Sequence, residues 1–190
     1  MRVLVSVALL GSVLLLAGCS QESEPARPPS SSVPAITGAP AGSNAQDTTF
    51  AAALLQLQQQ AIELAGLAKE RAANPALVTL ADTIATGQRG ESDTIKALMV
   101  QWSDGAGPPG APSAAPPGAL DPTILTRLES LRGPQFDTLW LQSMTSVHRG
   151  TIGLAEAEIS GGQNSDAQTL AKSVLTTRQA QVQQMQQMVG

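Results

Sequence analysis

The sequence predicts an all-α protein: a four-helix bundle made from two copies of one helical hairpin, with a short crossover helix between them. Three observations carry this. From Asp47 onward, apolar residues recur at three- and four-residue spacing, the period of a helix face packed on a core. The runs are cut by Pro, Gly and Asn where helices end and begin. Sliding the chain by 90 residues aligns its two long hairpins without a gap.

The first stripe is Phe50, Leu54, Leu57, Ala61, Leu64 and Ala68, with Asp47 as the expected N-cap. It should stop near Ala73, because Asn74-Pro75 disfavours continuation and suits a new cap with Pro in the first helical position. The second stripe is Leu77, Ala81, Ile84, Gln88, Glu91, Ile95, Leu98 and Trp102. A Gly/Pro/Ala-rich loop over 104–119 follows; its prolines and the lack of a following GK[ST] argue against a phosphate cradle. Asp121-Pro122 opens a short helix over 121–131, with Ile124, Leu125, Leu128 and Leu131 inward, ended by Gly133-Pro134. The second hairpin, 134–189, carries Phe136, Trp140, Met144, Val147, Thr151 and Leu154 on one face. After Gly161-Gly162 and a cap at Asn164 or Ser165 come Leu170, Ala171, Val174, Arg178, Val182, Met185 and Val189.

The repeat sharpens the architecture. Asp47-Thr48 falls on Asp137-Thr138, Ile62 on Ile152, Leu64-Ala65 on Leu154-Ala155, Asn74 on Asn164, and Thr79-Leu80-Ala81 on Thr169-Leu170-Ala171. Both turns align in the same register. Two such hairpins facing each other give a bundle with pseudo-twofold symmetry, occupying 47–190.

Ahead of the bundle the chain carries an address. Arg2 is the lone charge of residues 1–18, Val3–Leu16 is almost wholly apolar, and the stretch is shorter than the ~20 residues of a membrane span. It ends in Leu16-Ala17-Gly18-Cys19, which resembles the lipobox of bacterial lipoproteins. The expectation is cleavage before Cys19 and acylation of that cysteine, so that the partner is a membrane reached through N-terminal lipid. Residues 19–46, rich in Ser, Pro, Ala and Gly, read as a tether with too little apolar surface to fold. The formal charge of −4, two Trp, two Phe and no Tyr give neither a basic patch nor a stacking platform, which argues against nucleic acid.

The informative residues are polar ones on core stripes. Gln88 and Glu91 lie between Ile84 and Ile95, and the repeat places Arg178 and Gln181 at the same positions in the last helix. Gln58 and His148 are likewise repeat-equivalent. These six predict a polar layer near the pseudo-twofold axis. Burying Glu91 or Arg178 alone is costly, so the two are expected to pair, with the amides and the imidazole completing the layer.

At these residues the chain resembles domain-of-unknown-function family 305. The likeness runs through Asp47, Phe50, Leu54, Leu57-Gln58-Gln59-Gln60-Ala61-Ile62-Glu63-Leu64-Ala65, Leu80-Ala81, Ile84, Gln88 and Glu91. It resumes with Phe136-Asp137, Trp140-Leu141, Met144, His148, Ile152 and Leu154-Ala155. The resemblance implies an exported, ferritin-like bundle, with copper or another metal bound in some members through a His-His pair and a later Gln and Glu in each hairpin. Here the first His-His pair falls on Leu57-Gln58 and the second on Val147-His148, while the second Gln and Glu have become Arg178 and Gln181. Leu and Val offer no lone pair, an amide is a poor ligand for copper, and an inward Arg repels a cation. The expectation is loss of the metal site, no cofactor, and a non-catalytic envelope lipoprotein. The alternative is a Cu(I) protein using Met144, His148 and Met185, since thioether and imidazole suit that ion.

Enzyme chemistry finds no support in the sequence. The lone His lacks a nucleophile at suitable spacing, Cys19 is remote, and Glu156 and Glu158, two residues apart, face different sides of a helix. The Gln-rich stretch 179–187 reads as a solvated face, with a protein partner there as the other reading.

Overall fold

The computed structural model describes residues 42–103 and 114–189. The signal segment, Cys19, most of the tether and residues 104–113 of the loop lie outside the described residues. Among these described residues five helices follow in order: α1 (Ala45–Arg71), α2 (Pro75–Trp102), α3 (Pro122–Ser130), α4 (Gly133–Gly161) and α5 (Ser165–Met188). Among the described residues no helix is long and apolar enough to cross a membrane.

Helix ends follow local chemistry, with one correction at each terminus of the bundle. The cap of α1 is Asn44, not Asp47. The Asn44 Oδ1 accepts from the backbone N–H of Gln46 at 2.7 Å and Asp47 at 3.0 Å, while Asp47 Oδ2 accepts from Asn44 N–H at 2.6 Å. This reciprocal box satisfies donors that the first turn leaves unpaired, and it makes Ala45 and Gln46 helical rather than part of the tether. Asn74 caps α2 with Pro75 behind it, Asp121 caps α3 with Pro122 behind it, and Asn164 caps α5 through the N–H groups of Asp166 and Ala167. At the far end, Val189 is 64% exposed instead of facing inward, because α5 has already ended at Met188.

Packing makes a bundle of the two hairpins. α1 lies along α2 and α4, α4 lies along α5, and α2 and α5 touch only over a short stretch. The core forms two apolar clusters. One gathers Phe50, Leu54, Ile95, Leu98, Leu170 and Val174 near the start of α1. The other gathers Leu57, Leu64, Leu77, Ile84, Phe136, Trp140, Met144 and Met185 toward its end. Trp140 is fully buried and its indole N–H donates to the Leu64 carbonyl at 2.8 Å, fastening α4 to α1.

The crossover is held at repeat-equivalent positions of α1 and α4. Gln60 both accepts from Leu120 N–H (2.9 Å) and donates to its carbonyl (3.1 Å). Its equivalent, Gly150, lets the crossover lie directly on α4: a Cβ there would come within 2.7 Å of the Cα of Gly118, itself at φ +87°.

The pseudo-twofold is visible in the hydrogen bonds. Asp137, on α4, accepts from the N–H groups of Ala73 (3.1 Å) and Asn74 (2.9 Å) in the turn of the first hairpin. Asp47, on α1, accepts from Gln163 (3.1 Å) and Asn164 (3.0 Å) in the turn of the second. Each hairpin thus clamps the other's turn.

Candidate functional site

Between the two apolar clusters lies the polar layer. Its six residues come from four helices: Gln58 from α1, Gln88 and Glu91 from α2, His148 from α4, Arg178 and Gln181 from α5. All six are buried. Helical spacing puts them there: each continues an inward stripe, so its side chain enters the core whatever its polarity.

The bonding follows the repeat. Gln58 Nε2 donates to Glu91 Oε2 at 2.9 Å, and the equivalent pair, His148 Nε2 and Gln181 Oε1, lies at 2.8 Å. Ser92, absent from the predicted stripe, donates to Gln58 Oε1 at 2.6 Å and so fixes that amide's orientation. Across the bundle, Arg178 Nη2 forms an ion pair with Glu91 Oε2, and Arg178 Nη1 donates to Gln181 Oε1 at 3.4 Å. The long guanidinium arm thus links α5 to α2, helices that otherwise touch only over a short stretch. By symmetry the mate of the Arg178–Glu91 pair is Gln88 with Gln181, but there the amide Gln88 has no counterpart bond, and its Oε1 has no partner among the described residues. One cross-link is made and its mirror image is not.

Electrostatics keeps the imidazole neutral. Burial, then the adjacent Arg178 charge, lower His148 to about 3, against a smaller opposing effect of the Gln181 bond. Since Gln181 Oε1 also receives the Arg178 N–H, His148 Nε2 is best assigned as the donor, leaving Nδ1 as a lone pair without a partner. Arg178 Nε is the third buried atom of the layer without one.

The residues do not fit a cation well. Leu57 and Val147 carry no ligand atom, and the sole carboxylate of the layer already holds a guanidinium. Met144 and Met185 belong to the neighbouring apolar cluster, where Met185 sulfur accepts a long contact from Thr145 (3.8 Å). Among the described residues no three His, Cys, Asp or Glu side chains group to hold a metal ion.

A second buried polar group lies outside the predicted layer. Glu158 is fully buried beside Asp47, at the end of α4. A signal did exist: its repeat equivalent is Ala68, which lies on the inward stripe of α1. Asp137 was likewise aligned with Asp47, but its role as a clamp on the opposite turn needed the tertiary contact.

Two hairpins, a crossover and a polar layer amid an apolar core define an all-helical bundle with an internal repeat. Over residues 47–189 it matches the model of the family Domain of unknown function (DUF305), and the chain belongs to that family. Solved structures agree. A DUF305 fragment from Deinococcus radiodurans has 24% identity and a TM-score of 0.69, covering 80% of this chain and 99% of its own. A protein from Streptomyces coelicolor, named as a secreted DUF305 protein, has 22% identity and a TM-score of 0.67, covering 74% of this chain and 89% of its own. CopM in its Cu(I)-bound form has 25% identity and a TM-score of 0.64, covering 74% of this chain and 93% of its own. No curated protein sequence matches the chain.

Proposed function

We propose that this protein is a non-catalytic lipoprotein of the cell envelope, held at the outer face of the membrane by lipid on Cys19, in which a fixed ion pair replaces a metal at mid-core. The observation that carries the reading is the Arg178–Glu91 pair. A metal ion in the layer would need that carboxylate, and the guanidinium already neutralises it at contact distance. Arginine stays charged at any accessible pH, so the competition never lapses. The hydrogen-bond partner of His148 is an amide oxygen, which an imidazole cannot activate as a nucleophile. The export signal and lipobox-like Leu16-Ala17-Gly18-Cys19 support the address. Replacing Cys19 with Ala should release the protein from the membrane fraction; retention in the membrane would sink the anchor.

A second reading has an observation of its own. His148 is neutral with a free Nδ1 lone pair, Met144 and Met185 are buried in the adjoining cluster, and CopM, similar in fold, has been solved with Cu(I) bound. The deciding experiment is elemental analysis of the full-length protein after loading with Cu(I) and dialysis. The proposed reading expects no stoichiometric metal. A retained equivalent of copper that disappears in His148→Ala would establish the second reading instead.

A further inference from the structure

The junction of α1 with the α4–α5 turn carries two acids where its symmetry mate carries one. Asp47 is saturated with donors: it accepts from the backbone N–H groups of Asn44, Gln163 and Asn164. Asn44 in turn donates from Nδ2 to the Gly161 carbonyl at 2.9 Å, tying the start of α1 to the end of α4. Against this cluster lies Glu158, and among the described residues no N–H or O–H donor reaches either of its carboxyl oxygens. Its carboxyl lies against Gly162, next to Gln163, whose N–H donates to Asp47, so the two acids meet at the same turn. Two carboxyl groups that face one another as acceptors can bond only through a proton.

Gly162 makes the arrangement sterically feasible. A Cβ at this position would lie 2.6 Å from the Glu158 Cδ, so any other residue would push the carboxyl out of its place. At the other end of the bundle, Asp137 clamps Ala73 and Asn74 in the same manner, with Ala68 at the position equivalent to Glu158. The protein therefore holds its own control.

We propose that Asp47 and Glu158 share one proton and form a pH-sensitive latch, which closes the α1 junction on the α4–α5 turn when protonated and loosens it when the proton leaves. In the closed state Glu158 O–H donates to an Asp47 oxygen. Loss of that proton to solvent leaves two buried carboxylates in contact, with no cation between them. Burial first, then the bond to Asp47 and its negative charge, raise Glu158 to about 8. The surrounding charges do not cancel this. On α1 the first-turn acid is Asp47 alone; on α2, Asp93 and Lys96 are exposed; on α4, Glu156 is exposed; on α5, Asp166 adds another acid near the turn and Lys172 is exposed. The latch sits where the segment from the N-terminus enters the bundle, so its opening would free the first turn of α1.

The test is amide hydrogen exchange of the full-length protein in detergent, with protection corrected for the intrinsic pH dependence of exchange, followed from pH 6 to 10. Protection of Gln163 and Asn164 should fall by about tenfold per pH unit up to about 8, where the closed state loses its proton, and level off above it, while Ala73 and Asn74 remain level. Glu158→Gln should abolish the difference between the two turns. Should that variant not fold, the carboxyl carbon of Glu158 in the unaltered protein, followed by NMR, must titrate near 8. Titration near the ordinary 4.5, or equal loss of protection at both turns, overturns the proposal.

Discussion

Asp47 and Asp137, equivalent in the repeat, each bind the backbone of the turn that belongs to the opposite hairpin. The relationship ties the ends of the bundle together, since neither hairpin can splay without stripping N–H donors from a carboxylate. Burial alone would raise Asp47, but the N–H groups of Asn44, Asn164 and Gln163 and the Glu158 bond together bring it below its ordinary value. A carboxyl lowered on folding stabilises the native state above its unfolded pKa, and that contribution is lost as pH falls through the folded value.

Replacing Asp137 with Ala should cost about 1–3 kcal/mol, the range for leaving backbone donors without a charged acceptor. Asp47→Ala removes more bonds and should cost more, even though it relieves Glu158 of a neighbouring charge. Urea unfolding of both variants checks the order; a larger loss for Asp137→Ala would contradict it.

The Arg178–Glu91 pair lends itself to a double-mutant cycle. Glu91→Ala leaves a buried guanidinium without its carboxylate and should destabilise by about 3–5 kcal/mol. Glu91→Leu together with Arg178→Met should cost much less, because apolar groups of similar size leave no charge behind. Equal losses for the single and double changes would show that the pair contributes nothing as a pair.

Stability should depend on pH in two opposed ways. His148 is lowered from 6.5 to about 3, so the unfolded chain takes up a proton that the native state refuses, and stability falls as pH drops below 6.5. Glu158 is raised from 4.5 to about 8, so its contribution is whole below 4.5 and drains away as pH rises to about 8. Each slope is at most about 1.4 kcal/mol per pH unit. They cancel between 4.5 and 6.5, so melting temperatures should form a plateau there and decline on both sides. His148→Gln should flatten the acid limb, and Glu158→Gln the alkaline one.

The crossover gives a steric test. Gly150→Ala would drive a methyl group into the Pro117–Gly118 backbone. The segment must lift, breaking the Gln60–Leu120 bonds, with a stability loss of about 1–3 kcal/mol. Limited proteolysis should then cut the crossover at lower protease concentration than in the unaltered protein; unchanged resistance would mean that the segment accommodates the methyl group elsewhere.

Much of this molecule was legible before its tertiary structure. Helical period, Asn74-Pro75, Asp121-Pro122 and Asn164 placed the helices because a cap acts within one turn of the chain. The 90-residue repeat gave the symmetry and the six inward polar residues, since a stripe position points to the core regardless of its side chain. The start of α1 was misplaced by three residues: Asp47 and Asn44 are both good caps, and the reciprocal box between them, settled by the course of the backbone, made Asn44 the cap.

What the sequence left open was which buried group meets which. Arg178 reaches Glu91 because the packed bundle brings the two side chains, on α5 and α2, to the same level of the core. Glu158 faces a different side of its helix from Glu156, but only the tertiary structure brings Asp47 to the same turn and leaves room at Gly162. By itself, then, the sequence determined the helices, the repeat and the polarity of the core layer, all of which depend on local periodicity. The tertiary structure decided the partners, because a hydrogen bond or a shared proton requires two helices to stand at a particular distance, and no single helix carries that information.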